Sequence, residues 1–109
     1  MNLRAAPFSV IIATIMKISV RFTAAVHTLL CINYFEKDYR VTSGFIAEST
    51  GVNAVIIRKI LLQLQKAGLV KTAAGVGGSH LLKTPEEITL LAVYNAVNEG
   101  EDERELFNF

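Results

Sequence analysis

A chain of 109 residues, 51% hydrophobic and 19% charged, is long enough for one packed domain, too short for two and too apolar for a disordered segment. Its one cysteine, Cys31, excludes an internal disulfide, and with His27 and His80 as the only histidines it offers no zinc or iron–sulfur ligand spacing, so no cofactor and a reducing, cytoplasmic setting are expected. The net charge of +1 conceals a division: residues 49–85 hold five basic and no acidic side chains, whereas residues 86–109 hold one basic and seven acidic, so the middle of the chain can face a polyanion without self-repulsion.

Arg4 and the apolar run from Ala5 to Met16 look superficially like a secretory leader, but Pro7 interrupts the run and no small-x-small cleavage site precedes Lys17 and Arg21. The run is also shorter than the ~20 residues that a bilayer span requires, and no membrane association is expected. Residues 1–15 are read either as an extension of the first helix or as translation from an upstream start. From Lys17 to about Glu36 the positions Ile18, Phe22, Ala25, Leu29 and Ile32 recur at three- and four-residue steps, the period of an amphipathic helix. That helix is expected to bury Cys31 as an inert thiol.

Thr42 and Ser43 are candidate N-caps of a short second helix with Ile46 and Ala47 on its buried side. Gly51 stops it, and Asn53 caps a third helix predicted over residues 54–67, which Gly68 ends. Two helices joined by so short a turn need a small residue at their crossing, glycine in the turn and branched apolar residues on the second helix. Ala47, Gly51, Ile57 and Ile60 meet those needs. Projection at about 100° per residue places Ile56, Ile57, Ile60, Leu61 and Leu64 on one side of the third helix, the side expected to form core. Val55, Arg58, Lys59, Leu62, Gln65 and Lys66 fall on the other, with Leu62 expected to pack against a neighbouring element.

Leu69–Ala73 and Ser79–Lys83 then read as two strands around the glycine-rich turn at Gly75, Gly77 and Gly78. Thr84, Pro85, Glu86 and Glu87 have the order of a cap, a first-turn proline and first-turn acids. An apolar helix over residues 88–97 follows, re-capped at Thr89, with Gly100 beyond its end. The fold class expected is mainly α with a small two-stranded β wing, a winged helix-turn-helix over residues 16–100. Residues 101–109 would begin a C-terminal dimerisation segment or tail.

A helix with an outward cationic face followed by a basic, glycine-tipped hairpin suits duplex DNA, with the helix in the major groove and the wing on the backbone or in the minor groove. The candidate contacts are Thr42 and Ser43 before the turn, and Asn53, Ala54, Val55, Arg58 and Lys59 on the recognition helix. On the wing they are Lys71, Gly75, Gly77, Gly78, Ser79 and His80. His80 equally suits a structural place beside the strand. No catalytic constellation is present, since no phosphate loop ends in Lys-Ser or Lys-Thr, and Glu86 and Glu87 are neighbours that diverge on a helical turn. The competing reading is a winged helix that docks protein rather than DNA.

The run VTSGFIAESTGVNAVIIRKILLQLQKAGLVKTAAGVGGSHLLKTPEEITLLAVYNAV resembles the Rrf2 family of winged helix-turn-helix transcriptional regulators, and within it the YwnA-like branch. The resemblance spans roughly Met16 to Gly100, and LQKAGLVKT and PEEITLLAVYNAV are its most specific parts. It implies a sequence-specific regulator, a repressor, acting as a homodimer on a palindromic operator, with a C-terminal helix as the dimer contact. Cluster-sensing members carry three cysteines after the last helix, and their absence here implies no iron–sulfur cluster. Recognition helices of the family usually open with serine or proline and an aromatic residue. Here Ala54, Val55 and Ile56 stand in those places, so no operator sequence is carried over.

Overall fold

The computed structural model describes residues 8–73 and 77–98. Helix α1 spans Phe8–Phe35, so the first helix runs back well beyond Lys17, into the segment read as an extension. The turn that follows it is closed by Tyr39 N–H, which donates to the Phe35 carbonyl at 2.9 Å. Over the second half of α1 one face is buried by Ala24, Ala25, Thr28, Leu29, Cys31 and Ile32. The buried Thr28 hydroxyl donates back to the Ala24 carbonyl at 2.7 Å, so no polar group is left unpaired there.

Helix α2 spans Ser43–Thr50. Eight residues are too few to hold a helix alone in water, and this one is held at both ends and through the middle. Thr42 Oγ1 accepts from Phe45 N–H at 3.1 Å, Ile46 is fully buried, and Gly51 leaves the helix at φ 76° with its N–H donating to Ala47. Helix α3, Ala54–Lys66, begins after a three-residue turn with the Asn53 side chain accepting from Val55 N–H at 2.8 Å. At its far end Gly68 N–H donates to Gln65 and Leu69 N–H to Leu64, both at 3.0 Å. This Schellman arrangement needs the left-handed Gly68 and brings the buried Leu64 and Leu69 together.

Strands β1, Val70–Ala73, and β2, Gly78–Leu81, form an antiparallel hairpin with Val70 opposite Leu81 and Ala73 opposite Gly78. β2 therefore starts one residue before Ser79 and stops two before Lys83, where the chain bends toward Thr84. Pro85–Glu87 form a single 3-10 turn in which the Thr84 N–H and hydroxyl both donate to Glu87 Oε1, at 3.0 and 2.9 Å. These bonds hold the exposed Glu87 carboxyl below its ordinary pKa. Helix α4, Leu90–Asn98, is capped by Thr89, which accepts from Ala92 N–H at 3.1 Å. The expected helix thus starts two residues late, because Ile88 remains extended.

One apolar core joins these pieces. Ile32 of α1, Ile46 of α2, Ile57, Ile60 and Leu64 of α3, Val70 of β1 and Val97 of α4 are all fully or almost fully buried in it. The wing enters the same unit through a backbone bond, Ser79 N–H to the Val41 carbonyl at 2.8 Å. Gly78 makes that approach possible. It sits at φ 94°, and a Cβ there would lie 2.8 Å from Val41 N and 3.0 Å from Arg40 Cγ.

The two glycines flanking this junction should respond oppositely to a methyl group. Gly78→Ala must strain a positive φ and push on backbone, and is expected to cost about 1–3 kcal/mol in urea unfolding. Gly44→Ala, where the added carbon meets only Thr42 Oγ1 at 3.8 Å, is expected to stabilise by about 0.4–1 kcal/mol. Equal effects at the two sites would contradict the tight approach.

Candidate nucleic-acid interface

The outward face of α3 begins at its tip. With Asn53 spent on the cap, the side chains that follow are Ala54, half-buried, and Val55 and Ile56, 63% and 43% exposed. The exposure of Ile56 corrects its expected place in the core: the buried stripe is Ile57, Ile60, Leu61 and Leu64, and Ile56 lies past its edge. Arg58 and Lys59 follow one turn on, both exposed. Leu62 continues the outward face at 67% exposure and packs under no neighbouring element, contrary to expectation.

Between α3 and the hairpin runs an open cleft of about 330 Å³. Arg58, Leu62 and Gln65 form the α3 wall, Thr72 and Ser79 the hairpin wall, and Thr42 and Ser43 the end nearest α2. The hydroxyls here are oriented rather than loose. Thr42 Oγ1 accepts a bond from Phe45 N–H, which leaves its own O–H free to donate outward. Thr72 and Ser79 share a hydrogen bond at 3.2 Å.

The cleft thus brings together Thr42, Ser43, Arg58, Gly78 and Ser79, of which Gly78 and Ser79 turn inward. Ser79 is fully buried, its N–H donates to the Val41 carbonyl, and its hydroxyl is bonded to Thr72. Both were candidate wing contacts from sequence, and both are buried rather than exposed. Lys71 and His80 are cross-strand partners on the opposite hairpin face, both exposed. His80 Nδ1 lies 3.3 Å from Glu36 Oε1, which ties the strand to the end of α1. Gly77 sits against Ala73, where no Cβ could fit, and Gly75 lies outside the described residues.

Leu61, Leu62, Gln65, Thr72 and Ala73 of the cleft were not among the candidate contacts from sequence, and neither was Arg40, which is exposed beside Gly78. The helical projection already put Leu62 and Gln65 on the outward side. Nothing in the sequence signals Thr72, whose place opposite Ser79 needs the strand register.

The profile of the Rrf2 family, described as an iron-dependent transcriptional regulator, matches residues 18–108. The chain belongs to the Rrf2 family. It is 39% identical over 85 residues to YwnA of Bacillus subtilis, a candidate HTH-type transcriptional regulator, covering 78% of this chain and 62% of that protein. It is 31% identical over 88 residues to the HTH-type transcriptional regulator IscR of Aliivibrio salmonicida, covering 80% and 52%. This chain therefore spans between about half and three-fifths of the length of these Rrf2 relatives.

Among solved structures, a candidate DNA-binding protein superposes with a TM-score of 0.62 at 34% identity, covering 75% of this chain and 68% of that one. IscR of T. potens superposes at 0.65 with 23% identity, covering 75% and 61%, which shows the fold. The winged helix-turn-helix expected from the Rrf2 resemblance is the fold observed.

The described residues do not fit an iron site. Cys31 is the one thiol in the chain, and among the described residues no three His, Cys, Asp or Glu side chains gather where they could share an ion. Among the same residues no helix is long and apolar enough to cross a membrane.

Cys31 itself is buried in α1, as expected, and burial pushes its thiol above the ordinary range against a weaker opposing bond from Ser49. A thiol held protonated is a poor nucleophile. Iodoacetamide at neutral pH is expected to alkylate Cys31 at least tenfold more slowly in the folded chain than in urea, and equal rates would show a reactive, solvated thiol.

Proposed function

We propose that this chain is a sequence-specific, double-stranded-DNA-binding transcriptional regulator that lays α3 in the major groove and the hairpin against the adjoining backbone and minor groove. The observation that carries this reading is the outward face of α3. Arg58 and Lys59 stand exposed on a helix whose opposite side is the core, in a stretch of chain without a carboxylate, beside a hairpin bordering the same cleft. A helix in one groove and a hairpin at the next must straddle the sugar–phosphate strand between them. The cleft offers that strand a guanidinium, an amide and oriented hydroxyls for phosphate oxygens, with Leu62 for the sugar.

The regulator acts as a homodimer on a palindromic site and as a repressor in the bacterial cytoplasm. Exposed apolar side chains on α1 and α4, among them Val20, Leu90 and Leu91, support a subunit contact away from α3. As in YwnA and IscR, regulation rather than catalysis is the role proposed. DNA, not iron, is the ligand of the described residues.

Selection of genomic fragments on the full chain tests this. One or a few fragments are expected to be enriched over bulk DNA, with affinity falling steeply as salt rises. Arg58→Ala and Lys59→Ala should each cost about 1–3 kcal/mol of binding, or reduce the salt slope by about one ion where the contact is to phosphate. Binding without preference for any fragment would overturn the sequence-specific reading, and a protein partner retained equally at high salt would favour a docking role instead.

A further inference from the structure

The first exposed turn of α3 contains no side chain suited to hydrogen-bonded base reading. Asn53 is committed to the helix, since its Oδ1 accepts from Val55 N–H at 2.8 Å. That cap engages the amide oxygen that a bidentate contact to adenine requires. The next outward side chains, Val55 and Ile56, are aliphatic and exposed, Val55 the more so. They sit one helical step before Arg58 and Lys59 respectively, so each shares its line along the helix with a cation three residues on.

This patch is too cationic to be covered by a second copy of itself. Two α3 tips brought together would oppose Arg58 and Lys59 of each chain with no acidic residue between 49 and 85 to balance them. The charge favours a polyanion, and an aliphatic tip pressed onto a polyanion must find an apolar group there. In the major groove of B-DNA the base pairs present one such group, the C5 methyl of thymine.

We infer that Val55 and Ile56 read thymine methyl groups, so that each half-site carries thymines under the tip of α3, with Arg58 and Lys59 engaging guanine edges or phosphates one step further along. This rests on the DNA-binding reading above. It assigns a sequence-dependent contact to two residues without a hydrogen-bonding group, and makes their readout depend on methyl contact rather than on hydrogen bonding to base edges.

The test uses the full chain and a duplex enriched from a random 30-base-pair library. Each thymine of the enriched duplex is replaced in turn by deoxyuridine, which removes only the C5 methyl. At one or two thymines per half-site the replacement is expected to weaken binding about fourfold, the effect of roughly 0.8 kcal/mol for one buried methyl-sized group. Val55→Ala and Ile56→Ala should each abolish the uracil sensitivity at a different position, while Lys59→Ala keeps it. Both truncated side chains are exposed, and an unchanged melting temperature confirms that the variants fold.

If every uracil duplex binds within twofold of the parent, or if both truncated variants keep the sensitivity of the unaltered chain, the inference is overturned while the DNA-binding reading stands. If no duplex is enriched over bulk DNA, the DNA-binding reading falls and the inference with it.

Discussion

The backbone bond from Ser79 N–H to the Val41 carbonyl, 2.8 Å long and closed over Gly78, ties the wing to the residue that leads into α2. A two-stranded hairpin alone is marginal in water, and this one is held from outside its own ladder. Because Thr42 caps α2 immediately after Val41, the hairpin, the α1–α2 connection and the helix pair share one short stretch of chain as their common support. The donor is buried, so losing its acceptor would cost about 1–3 kcal/mol of desolvation with nothing in return. The two walls of the cleft therefore keep their spacing, which a site that straddles a strand of fixed width requires.

Helix α1 supplies the rest of the rigidity. Ala24 and Ala25, buried and small, allow neighbouring elements to come close, and Ile32 reaches the core shared by Ile46, Ile57 and Ile60. Its C-terminal turn also meets the wing from the other side, through Glu36 and His80. This second tie explains why His80, although on an exposed strand position, leans toward the body of the domain. The contact is exposed and adds little stability by itself. Its effect is to orient one hairpin face toward α1 and leave the other, with Thr72, facing α3.

What was legible from sequence was what is decided locally. Thr42, Gly51, Asn53, Gly68 and Thr89 each act within three or four residues of their own position, and each caps or ends a helix as its chemistry suggests. The small–glycine–branched order of the helix pair was legible for the same reason. The winged fold followed from the order of elements, supported by the Rrf2 resemblance. Ile56 and Leu62 were not legible because a helical projection gives the direction of a side chain but not how far the neighbouring elements extend to cover it. The burial of Gly78 and Ser79 was not legible because the bond from Ser79 N–H to Val41, which draws the start of β2 against the body of the domain, joins residues far apart in sequence. The join between His80 and Glu36 links residues 44 apart in sequence, beyond any local pattern.

Counting charges along the chain located the basic surface but not its edge. The acid-free stretch ends in the turn where Glu87 is bonded to Thr84 and held ionised, so acid begins only once the chain has left the hairpin. At the other border the count stops short: Arg40 lies outside residues 49–85, with Asp38 and Glu36 close by in sequence, yet the fold sets it against Gly78 at the start of β2. Chain order assigns Arg40 to a mixed segment, whereas the bond between Ser79 and Val41 sets it beside Gly78 at the start of the wing. The cationic surface is thus a property of the junction between wing and helix pair. A segment-by-segment sum misses it because the contribution of Arg40 exists only when that junction is closed.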